Sequence, residues 1–274
     1  MSRRSSRQLP ESNGARALAI AGALGAATIV AMPSARASDV DGANASSATA
    51  TERASQDGAF AVLAMPARVG STQALAWGLG GYDTSRKGAV GETTAEVRLW
   101  GPIALRGGAL YDAGNRRMRP NIGARVQVLR QEAHGIDGAL SAFYKAEGFT
   151  EPEGEIETFV SIGRRFEAVA VAGSLVYGQD PEGNERDGEV RASVLRHQNH
   201  FAFGLDSRLR FAIGTQQAKQ GAAPEPTFDA LVGVTGLATL GAFAVFAEVG
   251  PSALSVGGAK QYGVTAFGGV GTAF

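Results

Sequence analysis

The sequence predicts an all-β fold of long antiparallel strands. Three observations carry that prediction: stretches of about ten residues that alternate between two kinds of side chain, connections that are by turns short and long, and 38 glycines spread along 274 residues. Period-two alternation marks strands with two different faces. Glycine at this density argues against helical bundles, because each one in a helix interior costs about 1 kcal/mol relative to alanine.

The N-terminal residues stand outside this pattern. Arg3, Arg4, Arg7 and Arg16 precede an apolar run from Ala17 to Met32, and Ala35-Arg36-Ala37 follows. A basic region, a short apolar region and a small-residue cleavage site make up a secretory signal peptide, with cleavage expected near Ala37. The run is shorter than the about 20 apolar residues of a spanning helix. Residues 1–37 carry five Arg and one Glu, so the remainder has 21 basic and 25 acidic residues, a net charge of −4. That is not the balance of a nucleic-acid-binding protein. The absence of cysteine excludes disulfides, thiolate metal sites and an acylated N-terminal Cys. Residues 38–72 begin "SDVDGANASSATATERASQDG", small, polar and aperiodic, and are expected to form a disordered lead-in. Its last part, "GAFAVLAMPARVG", reads as lead-in or as a short extra strand.

From residue 73 onward the alternation predicts about twelve strands, near residues 73–82, 91–100, 103–111, 121–131, 138–148, 155–165, 168–178, 188–197, 201–214, 227–237, 241–250 and 261–274. The first strand and the tenth and eleventh have the weakest pattern, so ten or fourteen strands stay open. In "ETTAEVRLW" Thr93, Ala95, Val97 and Leu99 share one face, opposite Glu92, Thr94, Glu96 and Arg98. "FAFGLDSRLRFAI" sets Phe201, Phe203, Leu205, Leu209 and Phe211 against Asp206, Arg208 and Arg210.

A soluble sandwich would show the same alternation. Three features favour a closed antiparallel transmembrane β-barrel. The strands reach the about 9 to 11 residues needed to cross a bilayer. Short connections, such as Gly101-Pro102 and Gln198 to His200, alternate with longer polar ones such as "GQDPEGNERDG", as expected for tight turns on one rim and loops on the other. Aromatics gather at strand ends: Tyr82, Tyr111, Tyr144, Tyr177, Phe211, Phe228 and Tyr262 at the long-loop rim, and Phe166, Phe201, Phe243 and Phe274 at the short-turn rim. Two aromatic girdles at the water interfaces suit a lipid-facing barrel.

The signal peptide, the alternating strands, the even strand count and the terminal Phe274, with Val270 and Ala266 in phase behind it, resemble bacterial outer-membrane β-barrel proteins of porin-like type. The resemblance covers residues 73–274 and names no subfamily. It implies a Gram-negative outer-membrane location, contact with lipid and lipopolysaccharide, and recognition of the last strand by the outer-membrane assembly machinery. No cofactor is implied.

Under this assignment Glu92, Glu96, Arg98, Arg106, Arg125, Lys145, Glu147, Glu157, Arg165, Glu189, Arg191, Asp206, Arg208, Arg210 and Glu248 face the lumen. They read either as a hydrophilic pore or as a packed polar interior whose charges pair and close it. Strands seven and twelve present small inward groups, Ala170, Ala172, Ser174 and Gly178, then Gly263, Thr265, Gly269 and Gly271, and no loop is long enough for an obvious plug. A narrow water-filled passage follows: a passive channel for small hydrophilic solutes or ions, with a closed-lumen structural or interaction barrel as the alternative. A hydrolase ranks third. Barrel lipases resemble the pattern His-x-Ser-Asn, whereas "RHQNH" at His197 to His200 lacks the Ser, and all three His fall at short turns. No metal site is expected: the acidic loop from Asp180 to Glu189 does not have EF-hand spacing.

Overall fold

The computed structural model describes residues 49–60, 63–69, 72–112, 117–149, 153–181, 185–214 and 226–274. The expected signal peptide lies outside the described residues.

Twelve strands form one closed barrel in which each strand pairs antiparallel with its neighbours in sequence and β1 pairs with β12. In chain order they are β1 (Ala74–Asp83), β2 (Gly88–Trp100), β3 (Ile103–Asp112), β4 (Arg117–Leu129), β5 (Asp137–Ala146), β6 (Gly154–Arg165), β7 (Val169–Gln179), β8 (Arg186–Gln198), β9 (Phe201–Ala212), β10 (Pro226–Leu240), β11 (Phe243–Val256) and β12 (Ala259–Ala273). A short helix α1 (Ala50–Gln56) precedes the barrel, and α2 (Gln131–His134) joins β4 to β5. The strand expected to run to residue 131 therefore ends at Leu129. There Asp137 Oδ1 accepts from the Gln131 amide (3.0 Å) and from Gln127 Nε2 (2.8 Å), which turns the chain into α2.

The seam closes at the last residue. Phe274 donates its amide to the Ala74 carbonyl (2.8 Å), and its own carbonyl accepts from the Gln73 amide (2.8 Å). With no free edge, every strand of the barrel is paired on both sides, as a hydrocarbon environment requires.

The outer face carries the large apolar side chains. Leu99, Ile122, Val160, Ile162, Leu175, Phe203, Leu205, Val234 and Val249 are all exposed. The buried residues alternate with them and point inward. The inner face is less uniformly polar than the sequence pattern predicts, because Leu75, Trp77 and Leu79 of β1 and Phe246 of β11 lie inside and pack together. Strand alternation identifies two faces; it does not say which is apolar when both are.

Candidate functional site

The N-terminal segment occupies the lumen. This corrects the expected disordered lead-in over residues 49–60 and 63–69. It also corrects the expectation that nothing could serve as a plug, which considered only loops. The physical reason lies in the segment's own composition: Phe60, Leu63, Met65 and Val69 need cover, and all four are buried.

Helix α1 sits at the short-turn rim against β10, β11 and β12. A capping box starts it: Thr49 Oγ1 accepts from the Glu52 amide (3.1 Å) and Glu52 Oε2 accepts from the Thr49 amide (2.7 Å). Those bonds satisfy two of the amides a helix start leaves open, and the Thr49 amide, followed by His200, holds the Glu52 carboxyl below its ordinary value. Thr51 Oγ1 docks the helix, donating to the Ala242 carbonyl (2.9 Å) and accepting from the Ala273 amide (3.1 Å). Gly58, at φ +77°, then turns the chain inward through the left-handed region that favours glycine.

Beyond this turn Phe60 stacks on Phe246, ring centroids 6.3 Å apart at 15°, and Trp77 meets Phe246 edge-on. Gly271 makes the space: a Cβ there would overlap the Phe60 ring. The chain next crosses the lumen. The Leu63 amide donates to Asp206 Oδ2 on β9 (2.9 Å), and the Leu63 carbonyl accepts from Arg191 on β8 (3.1 Å). The Met65 carbonyl accepts from Ser174 Oγ on β7 (3.4 Å), while the Met65 side chain packs among Phe143, Phe159 and Val176. Arg125 on β4 donates to the Pro66 carbonyl, and the Val69 amide donates to Gln127 Oε1 on the same strand (3.2 Å). Arg68 returns to the short-turn rim, where it pairs with Asp57 (3.4 Å) and with Glu132 of α2.

The wall glycines expected to leave open space are filled from both ends. Phe60 lies over Gly271, Phe246 over Gly269, and the β1–β2 turn at Thr84 and Ser85 over Gly263. In that turn Arg86 pairs with Asp229 of β10, and Ser252 Oγ donates to Asp83 Oδ1 (3.1 Å).

Most of the inward charges are held in separate ion pairs. Arg125, 1% exposed, pairs with Glu96 at 2.6 Å, and Arg106 lies 4.0 Å from the same carboxylate. Lys145 bridges Glu157 (2.8 Å) and Glu155 (3.7 Å). Arg191 pairs with Glu189, Arg208 with Asp229 (2.6 Å), and Arg210 Nε with Asp187 (2.7 Å). Glu92 accepts from Thr94 Oγ1 (3.3 Å), and Arg98 is half-buried. Two members sit at the rims: Arg165 pairs with Asp57 of the plug (3.6 Å), and Glu147 with Arg117 (3.7 Å). Glu248 differs from the rest. It is 2% exposed, and neither carboxylate oxygen has a hydrogen-bond partner among the described residues. The plug-facing role of Asp206, Arg191 and Arg125 was not legible in the sequence, because the plug lacks the alternation that marks the strands.

The aromatic residues expected at the two rims lie on the outside. Tyr82, Tyr144, Tyr177, Phe211, Phe228 and Tyr262 are exposed at the long-loop end and Tyr111 is half-buried there. Phe166, Phe201, Phe243 and Phe274 are exposed at the short-turn end, joined by Trp100. Val270 and Ala266 share the outer face of β12 with Phe274.

His134 and His200 bond Arg130 and Glu52, His200 Nδ1 at 2.8 Å from Glu52 Oε1. His197 Nε2 is buried without a hydrogen-bond partner among the described residues. None of the three is hydrogen-bonded to a serine side chain among the described residues.

An apolar outer belt, two aromatic rims and a charged interior on a closed twelve-stranded frame define the porin-like outer-membrane β-barrel fold. No family model and no curated protein matches the sequence. Among solved structures, the NanC porin is 9% identical, with 73% of this chain and 100% of that one aligned at a TM-score of 0.54. The KdgM porin is 9% identical over 73% of this chain and 99% of that one, at a TM-score of 0.50. At these identities the likeness is one of fold.

Proposed function

We propose that the protein is an outer-membrane channel for small hydrophilic solutes or ions, closed in this state by its own N-terminal segment. The observation that carries the reading is how the plug is held. Asp206, Arg191, Ser174, Arg125 and Gln127 of the wall bond its main chain. Water can replace each such bond at a net cost of about 0.5–1.5 kcal/mol, so the wall behind the plug suits an aqueous path. Twelve strands enclose more room than the eight whose side chains just fill a barrel. Paired charges of both signs along that path suit polar solutes without strong preference for one sign.

Under this reading the short-turn rim faces the periplasm after signal-peptide removal near Ala37, the long loops face lipopolysaccharide, and the outward Phe274, Val270 and Ala266 present the closing strand to the assembly machinery. We take the chemistry as passive rather than enzymatic: among the described residues no histidine is hydrogen-bonded to a serine side chain.

Planar-bilayer conductance tests the proposal. The mature chain should pass little current, and the full chain carrying Phe60→Ser and Met65→Ser should conduct. If the variant shows heat-modifiable gel mobility, the sign of a folded barrel, yet never conducts, the channel reading fails. The alternative, a structural barrel with a permanently filled lumen, then stands; the stacked Phe60–Phe246 pair is what favours it.

A further inference from the structure

We propose that the periplasmic half of the lumen is a binding site for a peptide segment, with Phe60 and residues 63–69 of this chain as its resident occupant. The inference rests on the channel reading above and adds the class of ligand. It comes from the kind of contact the wall makes.

Five side chains of the strands hydrogen-bond residues 63–69, and all five meet main-chain atoms. Asp206 and Gln127 accept from the amides of Leu63 and Val69. Arg191, Ser174 and Arg125 donate to the carbonyls of Leu63, Met65 and Pro66. Donors and acceptors thus match the amides and carbonyls in chain order, from Leu63 at β9 and β8 to Val69 at β4. Main-chain bonds of this kind are indifferent to sequence; the side-chain seats supply selectivity.

Three seats take the side chains. Phe60 lies between Phe246 and Gly271, Met65 sits among Phe143, Phe159 and Val176, and Val69 packs on Ala104 and Ala139. The seats are apolar and lie at different places on the wall, so a bound segment must present apolar side chains at corresponding positions. Among the described residues no charged side chain of the wall pairs with a side chain between Phe60 and Ala67. Arg125 and Arg191 are instead held by Glu96 and Glu189, which leaves Arg125 Nη2 and Arg191 Nη1 to donate to carbonyl oxygens.

The test uses the full mature chain with Phe60→Ser and Met65→Ser, and three labelled synthetic peptides read by fluorescence anisotropy and by block of current. One peptide copies residues 49–69. The second is unrelated in sequence but keeps Phe, Met and Val at the three seat positions. The third places Ser at those positions. The first two should bind the variant, and bind the native chain at least about tenfold more weakly because its seat is occupied; the third should bind neither. Absence of binding by the first two peptides, or binding by the first alone, overturns the proposal. Should the double variant fail to fold, Gly271→Ala loosens the plug from the wall side and serves in its place. Anisotropy reads binding whether or not current flows, so failure of the channel reading remains separate from failure of this one.

Discussion

The Leu63 amide donates to Asp206 Oδ2 at 2.9 Å, joining residues 143 positions apart inside the barrel. Asp206 has no exposed surface, and this bond gives Oδ2 a donor beside the one that the Ser207 amide gives Oδ1 (3.1 Å). Asp206→Ala should therefore weaken plug seating while the outer face of the barrel stays intact. Proteolysis is the measurement: cleavage within residues 49–69 should rise in the variant, while heat-modifiable mobility is unchanged.

Phe60 is 2% exposed and stacked. Truncating a buried Phe to Ala costs about 3–5 kcal/mol. Phe60→Ala should shift the seated-to-released ratio by about two to four orders of magnitude, at about 1.4 kcal/mol per tenfold. Single-channel recordings would show this as a rise in open probability at unchanged unitary conductance.

Arg125 pairs with Glu96 where neither meets water. Removing one partner of a buried pair costs about 3–5 kcal/mol, because the other charge is left uncompensated. Arg125→Met should lower the urea midpoint of unfolding, by less than a full pair because Arg106 stays 4.0 Å from the same carboxylate, and the double variant Arg125→Met with Glu96→Gln should recover part of the loss. Equal midpoints for the single and double variants would show that the lost Pro66 contact, and not the stranded carboxylate, sets the cost.

The capping box makes plug docking sensitive to acid. The Thr49 amide and then His200 hold the Glu52 carboxyl below its ordinary value. A depressed carboxyl contributes stability that is present above its unfolded value and lost as pH falls through its folded one. Helix α1 should thus detach increasingly as pH drops below the ordinary carboxylate range. Digestion by pepsin, which works in acid, should cut within residues 49–57 increasingly fast over that window, and Glu52→Gln should flatten the response.

Leu205 lies on the outer face near the middle of β9 and is exposed. An arginine at the bilayer midplane costs about 2–4 kcal/mol. Leu205→Arg should lower the yield of folded barrel in lipid vesicles, with a much smaller effect for an arginine at Phe201, beside the rim.

Strand number, closure order and the two faces were readable from alternation because the bilayer imposes it on every strand. The charged residues of β2, β4, β8 and β9 stood out as inward for the same reason. The plug was not readable, since its apolar residues pack against different groups of strands and the spacing of Phe60, Met65 and Val69 has no period. The glycines of β12 were misread on related grounds. A missing side chain looks like space in a sequence, whereas in the barrel Gly263, Gly269 and Gly271 each receive an atom from elsewhere.

The plug is continuous with β1 through only a few residues, Gly70 to Gln73. Its return to the lumen is therefore unimolecular, at an effective concentration on the millimolar scale typical of short tethers. Any ligand that takes the same seat must outcompete that local concentration, whatever its own affinity. Closure is consequently independent of how much protein the membrane holds, and one barrel can reseat its plug without reference to its neighbours.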